Sequence, residues 1–182
     1  MIIGLTGYAR AGKTTAAQAL VERGFVLIPF AASLRAEAAR LLGVSIALFT
    51  GPDKDKPSDL LNGQTPRAAL QILGTDFARR FQPDIWLRKW GEKAKIFPNV
   101  VVDDVRFPNE AVLIEQMGGQ IIRIFRYETD PTVELADFFH ESERYVEDIT
   151  RGAEHLIYND GTIADLQDCL GRVVARIGEA VA

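Results

Sequence analysis

Apolar and polar positions follow two rhythms along the chain, and each change of rhythm marks an element. MIIGLT, at the start, is a continuous apolar run that stops at a glycine, which predicts a short strand buried on both faces. A helix is expected to begin within GKTTAAQALVERG, with Gly24 as its C-terminal cap. FVLI reads as a second strand and FAASLRAEAARLLG as a second helix. Residues 44 to 64, VSIALFTGPDKDKPSDLLNGQ, mix prolines, glycines and alternating charge, the pattern of a long functional or mobile connection. TPRAALQILGTDFARRF predicts a helix with Thr65 as N-cap and Pro66 at its first position. DIWLRKWGEKAKI predicts another, followed by a strand in NVVVDDV, a glycine-ended helix in PNEAVLIEQMGG and a strand in QIIRIF. A polar connection runs from Tyr127 to about Ser142, and EHLIYNDGT gives a last strand and turn. The C-terminal helix carries an apolar stripe of Ile163, Leu166, Leu170, Val173 and Ile177.

Strands alternating with helices imply a parallel sheet covered by helices on both faces. No repeat, low-complexity tract or linker interrupts the pattern, so residues 1–182 read as one α/β domain. With 47% hydrophobic and 25% charged residues, disorder and fibrous classes drop out. A net charge of −4 argues against a broad polyanion-binding face, and no nucleic-acid partner is expected. Among the 21 basic residues only six are lysine; the remaining arginines suit bidentate phosphate contacts, although an arginine-biased codon usage gives the same count. The single cysteine, Cys169, excludes an internal disulfide and flanks the C-terminal apolar stripe as a packed thiol. No charged-then-apolar leader precedes Gly4, and no apolar run approaches the ~20 residues of a membrane span. The expected setting is cytoplasmic, without a membrane partner.

The strongest chemical signal is Gly7-x-x-x-x-Gly12-Lys13-Thr14, which matches the phosphate-binding P-loop in full. Its glycines let the backbone N–H groups of Ala9, Arg10, Ala11, Gly12, Lys13, Thr14 and Thr15 turn toward an anion, and the following helix adds its positive N-terminus. Lys13 is expected to reach the β and γ phosphates of ATP, and the Thr14 hydroxyl to ligate Mg²⁺. A P-loop leaves the phosphoryl acceptor undefined. In a doubly wound sheet, ligands sit at the C-terminal ends of strands. There VVV is followed by Asp103, Asp104, Val105 and Arg106, where one aspartate is the expected second partner of Mg²⁺ and Arg106 can clamp a second phosphate. Asp103 is taken for the metal, with the division of labour between the two aspartates left open. On the helix from Thr65, Arg67, Gln71, Gly74 and Ala78 form one stripe beside an apolar stripe of Leu70, Leu73, Phe77 and Phe81.

In order along the chain, GYARAGKTT, FAASLR, TPRAALQILGTDFARR, DIW, VVDDVRFPNEA, RIFR, HESE and NDGT resemble the bacteriophage-type deoxynucleoside monophosphate kinase family. The resemblance runs from Gly4 to about Leu166. It implies a three-layer α/β/α P-loop kinase fold with five parallel strands in order 2-3-1-4-5, an acceptor-binding region near 31–95 and a short lid near 127–142. It implies transfer of the γ-phosphoryl group of ATP to a deoxynucleoside 5′-monophosphate. By position, Arg35, Arg67 and Gln71 would line the acceptor site and Trp86 would pack on the acceptor's base or sugar. Asp104 with Arg106 would hold the acceptor phosphate or its metal, and Arg126, with Arg123, would neutralise the moving phosphoryl. His140 and Glu143 would close the lid, and Asn159 to Gly161 would form the turn beneath the adenine. Many relatives have Asp after the P-loop lysine where this chain has Thr14, and residues 44–64 match no part of the pattern. The readings kept beside this one are another P-loop small-molecule kinase, such as one acting on dephospho-coenzyme A, and a nucleotide-dependent switch without an acceptor. Whether the chain forms a homodimer is open.

Overall fold

β1, Ile2–Thr6, forms the centre of the sheet, and its burial explains why the run is apolar on both faces: Ile3, Leu5 and Thr6 are fully buried. The computed structural model describes residues 1–127, 145–150 and 155–181. Their elements run α1 Lys13–Val21, β2 Val26–Leu27, α2 Ala31–Leu42, α3 Ala47–Thr50, α4 Pro66–Gln71 and a π-helical segment Ile72–Arg79. There follow α5 Ile85–Ala94, β3 Val100–Val102, α6 Pro108–Gln116, β4 Gln120–Phe125, α7 Val146–Thr150, β5 His155–Tyr158 and α8 Ile163–Val181. The sheet is wholly parallel with order β2-β3-β1-β4-β5, the order the resemblance implied. None of the helices among the described residues is long and apolar enough to cross a membrane.

The chain divides into two compact units, Met1–Pro29 with Ala94–Ala182, and Phe30–Lys93. The first contains the whole sheet. Its core joins Ile3, Leu5, Val101, Ile122, Ile124 and Ile157 from the strands to Ala16, Leu20, Leu166, Leu170 and Ile177 from α1 and α8. Register sets Gly4 beside Val102 on one side of β1 and Thr6 beside Arg123 on the other, which gathers three strand ends at one edge of the sheet. The stripe predicted on α8 holds for Leu166, Leu170 and Ile177 but not for Ile163, which is 64% exposed. Ile163 is the first residue of α8, where a reciprocal cap takes over. Thr162 N and Oγ1 donate to Asp165 Oδ2 at 2.8 and 2.7 Å, and Asp165 N donates to Thr162 Oγ1 at 3.2 Å. The Thr162 hydroxyl and then its amide hold the Asp165 carboxyl below its ordinary pKa.

The second unit is all helical. Ala38, Ala39, Phe49 and Leu61 form its core, with Val44, Leu48, Ala69, Leu70 and Leu73 packed against them. The region 44–64 is therefore more structured than an open connection. It holds α3 and two 3-10 turns, Pro52–Asp55 and Asp59–Leu61. Thr65 caps α4 as expected, its hydroxyl accepting from Ala68 N at 3.1 Å. The single helix expected from Pro66 instead widens after Gln71 into the π segment. The wider turn rotates later residues off the 3.6-residue stripe. Phe77 and Phe81, predicted to pack, are 60% and 73% exposed and meet each other edge to face at 5.2 Å.

Candidate active site

The P-loop is built by backbone geometry that only its own residues tolerate. Gly7 has φ +140°, and a Cβ there would lie 2.2 Å from Ile124 O. Gly12 has φ +103°, and a Cβ would lie 2.3 Å from Asn159 Nδ2. Between them Arg10 also takes the left-handed region at φ 62°. Gly12 precedes α1 without a side-chain cap, and the first turn of α1 carries no acidic residue, an arrangement that suits an anion at a helix N-terminus. Lys13 Nζ donates to Gly7 O and Tyr8 O, both at 2.7 Å, which folds the ammonium over the loop. Thr14 and Thr15 are exposed in the first turn of α1. Ala9 and Arg10 are exposed and Ala11 is buried.

Asn159, expected in the nucleotide turn, has a structural hold on this loop. Its amide Nδ2 donates to Ala11 O at 2.9 Å, and its backbone N donates to Phe125 O at 2.7 Å. The side chain is 8% exposed, so the bond is made in a dry place where its loss is most costly. Asp160 accepts from Tyr127 N at 2.9 Å, and Gly161 is exposed beside the Asp165 carboxylate. An aromatic trio flanks the turn: Phe125 lies 5.3 Å from Tyr127 and 5.6 Å from Tyr158, and the two tyrosines stack at 6.4 Å.

The turn after β3 is fastened at three points. Thr6 Oγ1 donates to Val105 O at 3.1 Å, and Val105 N donates to Leu5 O at 3.4 Å, which ties Asp103–Arg106 to the end of β1 immediately before Gly7. The third fastening is Glu110, whose Oε2 accepts from Arg106 N at 2.8 Å and Phe107 N at 3.0 Å. Glu110 is 2% exposed. Sequence reasoning passed over it, though its signal was there: a Glu three residues after Phe107, with Pro108 at the first helical position, is half of a capping box. Asp103, Asp104 and Arg106 are half-buried at this strand end. Arg123 and Arg126 are half-buried along and just beyond β4, and the Arg123 guanidinium carbon lies 5.6 Å from the centre of the Phe125 ring.

The remaining predicted residues belong to the helical unit. Arg35 on α2 and Gln71 at the end of α4 are half-buried. Arg67 is half-exposed, and its guanidinium forks onto the Asp55 carboxylate through Nε to Oδ1 and through Nη2 to Oδ2, the latter at 3.4 Å. That bond draws the Asp55 pKa down. Asp55 lies in the segment the sequence left unassigned. Trp86, expected to pack on the acceptor's base or sugar, has a structural bond of its own. Its ring is buried and its indole Nε1 donates to Gly74 O at 3.2 Å, within the π segment. Trp90, one turn on, packs on Phe30 at 4.5 Å. Lys89 joins Glu37 at 2.6 Å, and with Arg40 it lowers the Glu37 pKa. His140, Glu143 and nearly all of the expected lid lie outside the described residues.

Among the described residues no three acidic, histidine or cysteine side chains cluster to hold a metal. A hydroxyl at Thr14 and a carboxylate at Asp103 are both hard oxygen donors, the type that Mg²⁺ takes together with phosphate oxygens rather than in an all-protein cage.

This chain is similar in fold to several solved kinases. The dephospho-CoA kinase of Campylobacter jejuni superposes with a TM-score of 0.55 at 16% identity, covering 97% of this chain and 96% of that one. The shikimate kinase of Aquifex aeolicus gives 0.53 at 14% identity, covering 100% and 99%. At such identities the likeness speaks to fold alone. Sequence comparison is more specific. A provisionally named deoxynucleotide monophosphate kinase of Acanthamoeba polyphaga mimivirus is 33% identical, across 91% of this chain and 91% of that protein. The family model for deoxynucleotide monophosphate kinase matches residues 58–170, a stretch that includes Arg67, the strand end at Asp103–Arg106 and the Asn159 turn. With a P-loop built as described and these two matches, the chain belongs to the deoxynucleotide monophosphate kinase family and is a phosphotransferase acting on small nucleotides.

Proposed function

We propose that the protein transfers the γ-phosphoryl group of ATP to the 5′-phosphate of a deoxynucleoside monophosphate, giving the diphosphate and ADP. The observation that carries this reading is the fastening of the Asp103–Arg106 turn directly onto the strand that delivers the P-loop, through Thr6 and Leu5. It gives a donor-phosphate nest and an arginine-bearing strand end one fixed relationship. In this reading the loop amides from Ala9 to Thr15 and Lys13 hold the donor phosphates, Thr14 and Asp103 hold Mg²⁺, and Asn159 with Gly161 supports the adenine side. Asp104 and Arg106, with Arg35, Arg67 and Gln71, serve the acceptor, and Arg126 with Arg123 meets the transferred group. Mg²⁺, when bound, neutralises charge on the β and γ phosphates.

The acceptor determines what the side chains must do. A nucleotide 5′-phosphate has its second pKa near ~6 and is largely a dianion at neutral pH. It needs no proton removed before attack. An acceptor oxygen forms the new bond to the γ phosphorus while the bond to the β-bridging oxygen breaks in line, and ADP leaves with that electron pair. The barrier lies in bringing two anions together, so guanidinium and ammonium groups, held in place before the reaction, supply the catalysis. Trp86 acts at one remove, holding the π segment that follows Gln71.

ADP formation measured against each dNMP and NMP, with ATP and Mg²⁺, tests the reading. At least one dNMP is expected to stimulate ADP release with stoichiometric dNDP, and Lys13→Ala to lower kcat by about 10²–10³. ADP release at the same rate with and without every dNMP would overturn the proposal.

A further inference from the structure

In the helical unit, Asp55 and Arg67 form a fork of two parallel contacts, N–H to carboxylate, twelve residues apart in sequence. A phosphate monoester presents the same pair of oxygens to a guanidinium, with more charge. We propose that Asp55 is a built-in competitor for the acceptor phosphate: its carboxylate takes the face of Arg67 that the dNMP phosphate must take, and so sets the acceptor KM. This rests on the reading that Arg67 serves the acceptor.

The surroundings of Asp55 suit displacement. Residues 53 to 57 are all exposed, so withdrawing them uncovers no core. The arm is secured at its ends instead. Phe49 and Leu61 sit in the core of the unit, Gly51 N donates to Ala47 O at 3.0 Å, and Ser58 N donates to Gln64 O at 3.1 Å. Asp55 rides between these anchors on a single 3-10 turn, in which Lys54 adds a weaker attraction to the Asp55 carboxylate and Asp53 pairs with Lys56 just beyond the turn at 2.7 Å. Both members of the Asp55–Arg67 pair are about half exposed, 52% and 47% by side chain, so water screens the bond and a dianion can replace it. A nucleoside without a phosphate has nothing to offer Arg67 in exchange. The arm therefore favours phosphorylated acceptors over unphosphorylated ones. Arg67 lies within residues 58–170, which the family model matches, whereas Asp55 precedes them.

A structural role for the pair predicts the opposite sign. If Asp55 only orients Arg67, removing the carboxylate weakens acceptor binding. The experiment is steady-state kinetics at saturating ATP, varying the accepted dNMP, for Asp55→Asn, Asp55→Ser, Arg67→Ala and the Asp55→Asn/Arg67→Ala double variant. The competitor role requires Asp55→Asn and Asp55→Ser to lower the dNMP KM by about two- to five-fold, the span an exposed ion pair supplies, with KM for ATP unmoved. Arg67→Ala raises the dNMP KM, and in that background Asp55→Asn has no further effect. A KM unchanged or raised in both Asp55 variants, with Arg67→Ala still raising it, overturns the inference and leaves the proposed function standing. A KM untouched by Arg67→Ala removes Arg67 from the acceptor site and the inference with it.

Discussion

The two units hold their polar side chains by opposite means. In the sheet unit, polar groups with structural tasks are buried: Thr6 is 0% exposed, Glu110 2% and Asn159 8%, and each bonds to backbone beside the P-loop or the β3 turn. In the helical unit the polar contacts are largely at the surface, as in Arg67–Asp55, Lys89–Glu37 and Arg40–Glu37. Phe77 and Phe81 stand exposed there as well. Dry hydrogen bonds fix a backbone within narrow limits, while wet ion pairs exchange partners at little cost. The P-loop is thus held in one shape, and the helical unit, proposed above to serve the acceptor, keeps contacts that can be traded.

Substitutions at three positions sharpen or break that contrast, beginning with the largest effect. Glu110→Ala leaves Arg106 N and Phe107 N without their carboxylate and is expected to cost about 2–3 kcal/mol of unfolding free energy, read from urea denaturation. Glu110→Gln, which keeps an acceptor oxygen, should recover more than half. Trp86→Phe puts a smaller aromatic ring in the same place and loses the bond to Gly74 O in the π segment. About 1 kcal/mol is expected by the same measurement, and a loss as large as that of Glu110→Ala would put the two units on the same footing. Smallest of all, Phe81→Ser should change stability by no more than about 0.5 kcal/mol, because the ring is exposed. A drop of several kcal/mol there would mean that the ring is covered in solution.

What the sequence revealed follows the same division. The strand, loop and helix around Gly7–Thr14 were legible because strict conformational needs leave few residue choices: positive φ at Gly7 and Gly12, continuous apolarity in β1. The strand order came through the resemblance rather than through any pattern of spacing. The π segment was invisible, since Leu70, Leu73, Phe77 and Phe81 satisfy an α-helical period that the backbone then abandons. Only the position of Trp86, twelve residues from Gly74, bears on it, and no local rule reads such a bond. α7 was missed because five residues are too few to establish a period. Ile163 misled for a simpler reason: a stripe extended to the first residue of a helix reaches past the core. Asp55 could not have been found at all from spacing, because a loop carboxylate near an arginine in sequence need not meet it.

Asn159 reaches Ala11 across 148 positions of sequence, and that separation has a consequence for synthesis. Synthesis runs from the N-terminal side, so the glycine loop is made well before the carboxamide that braces it. The loop is therefore made long before it is completed, so a chain halted before residue 159 would carry the whole signature motif and an unbraced loop.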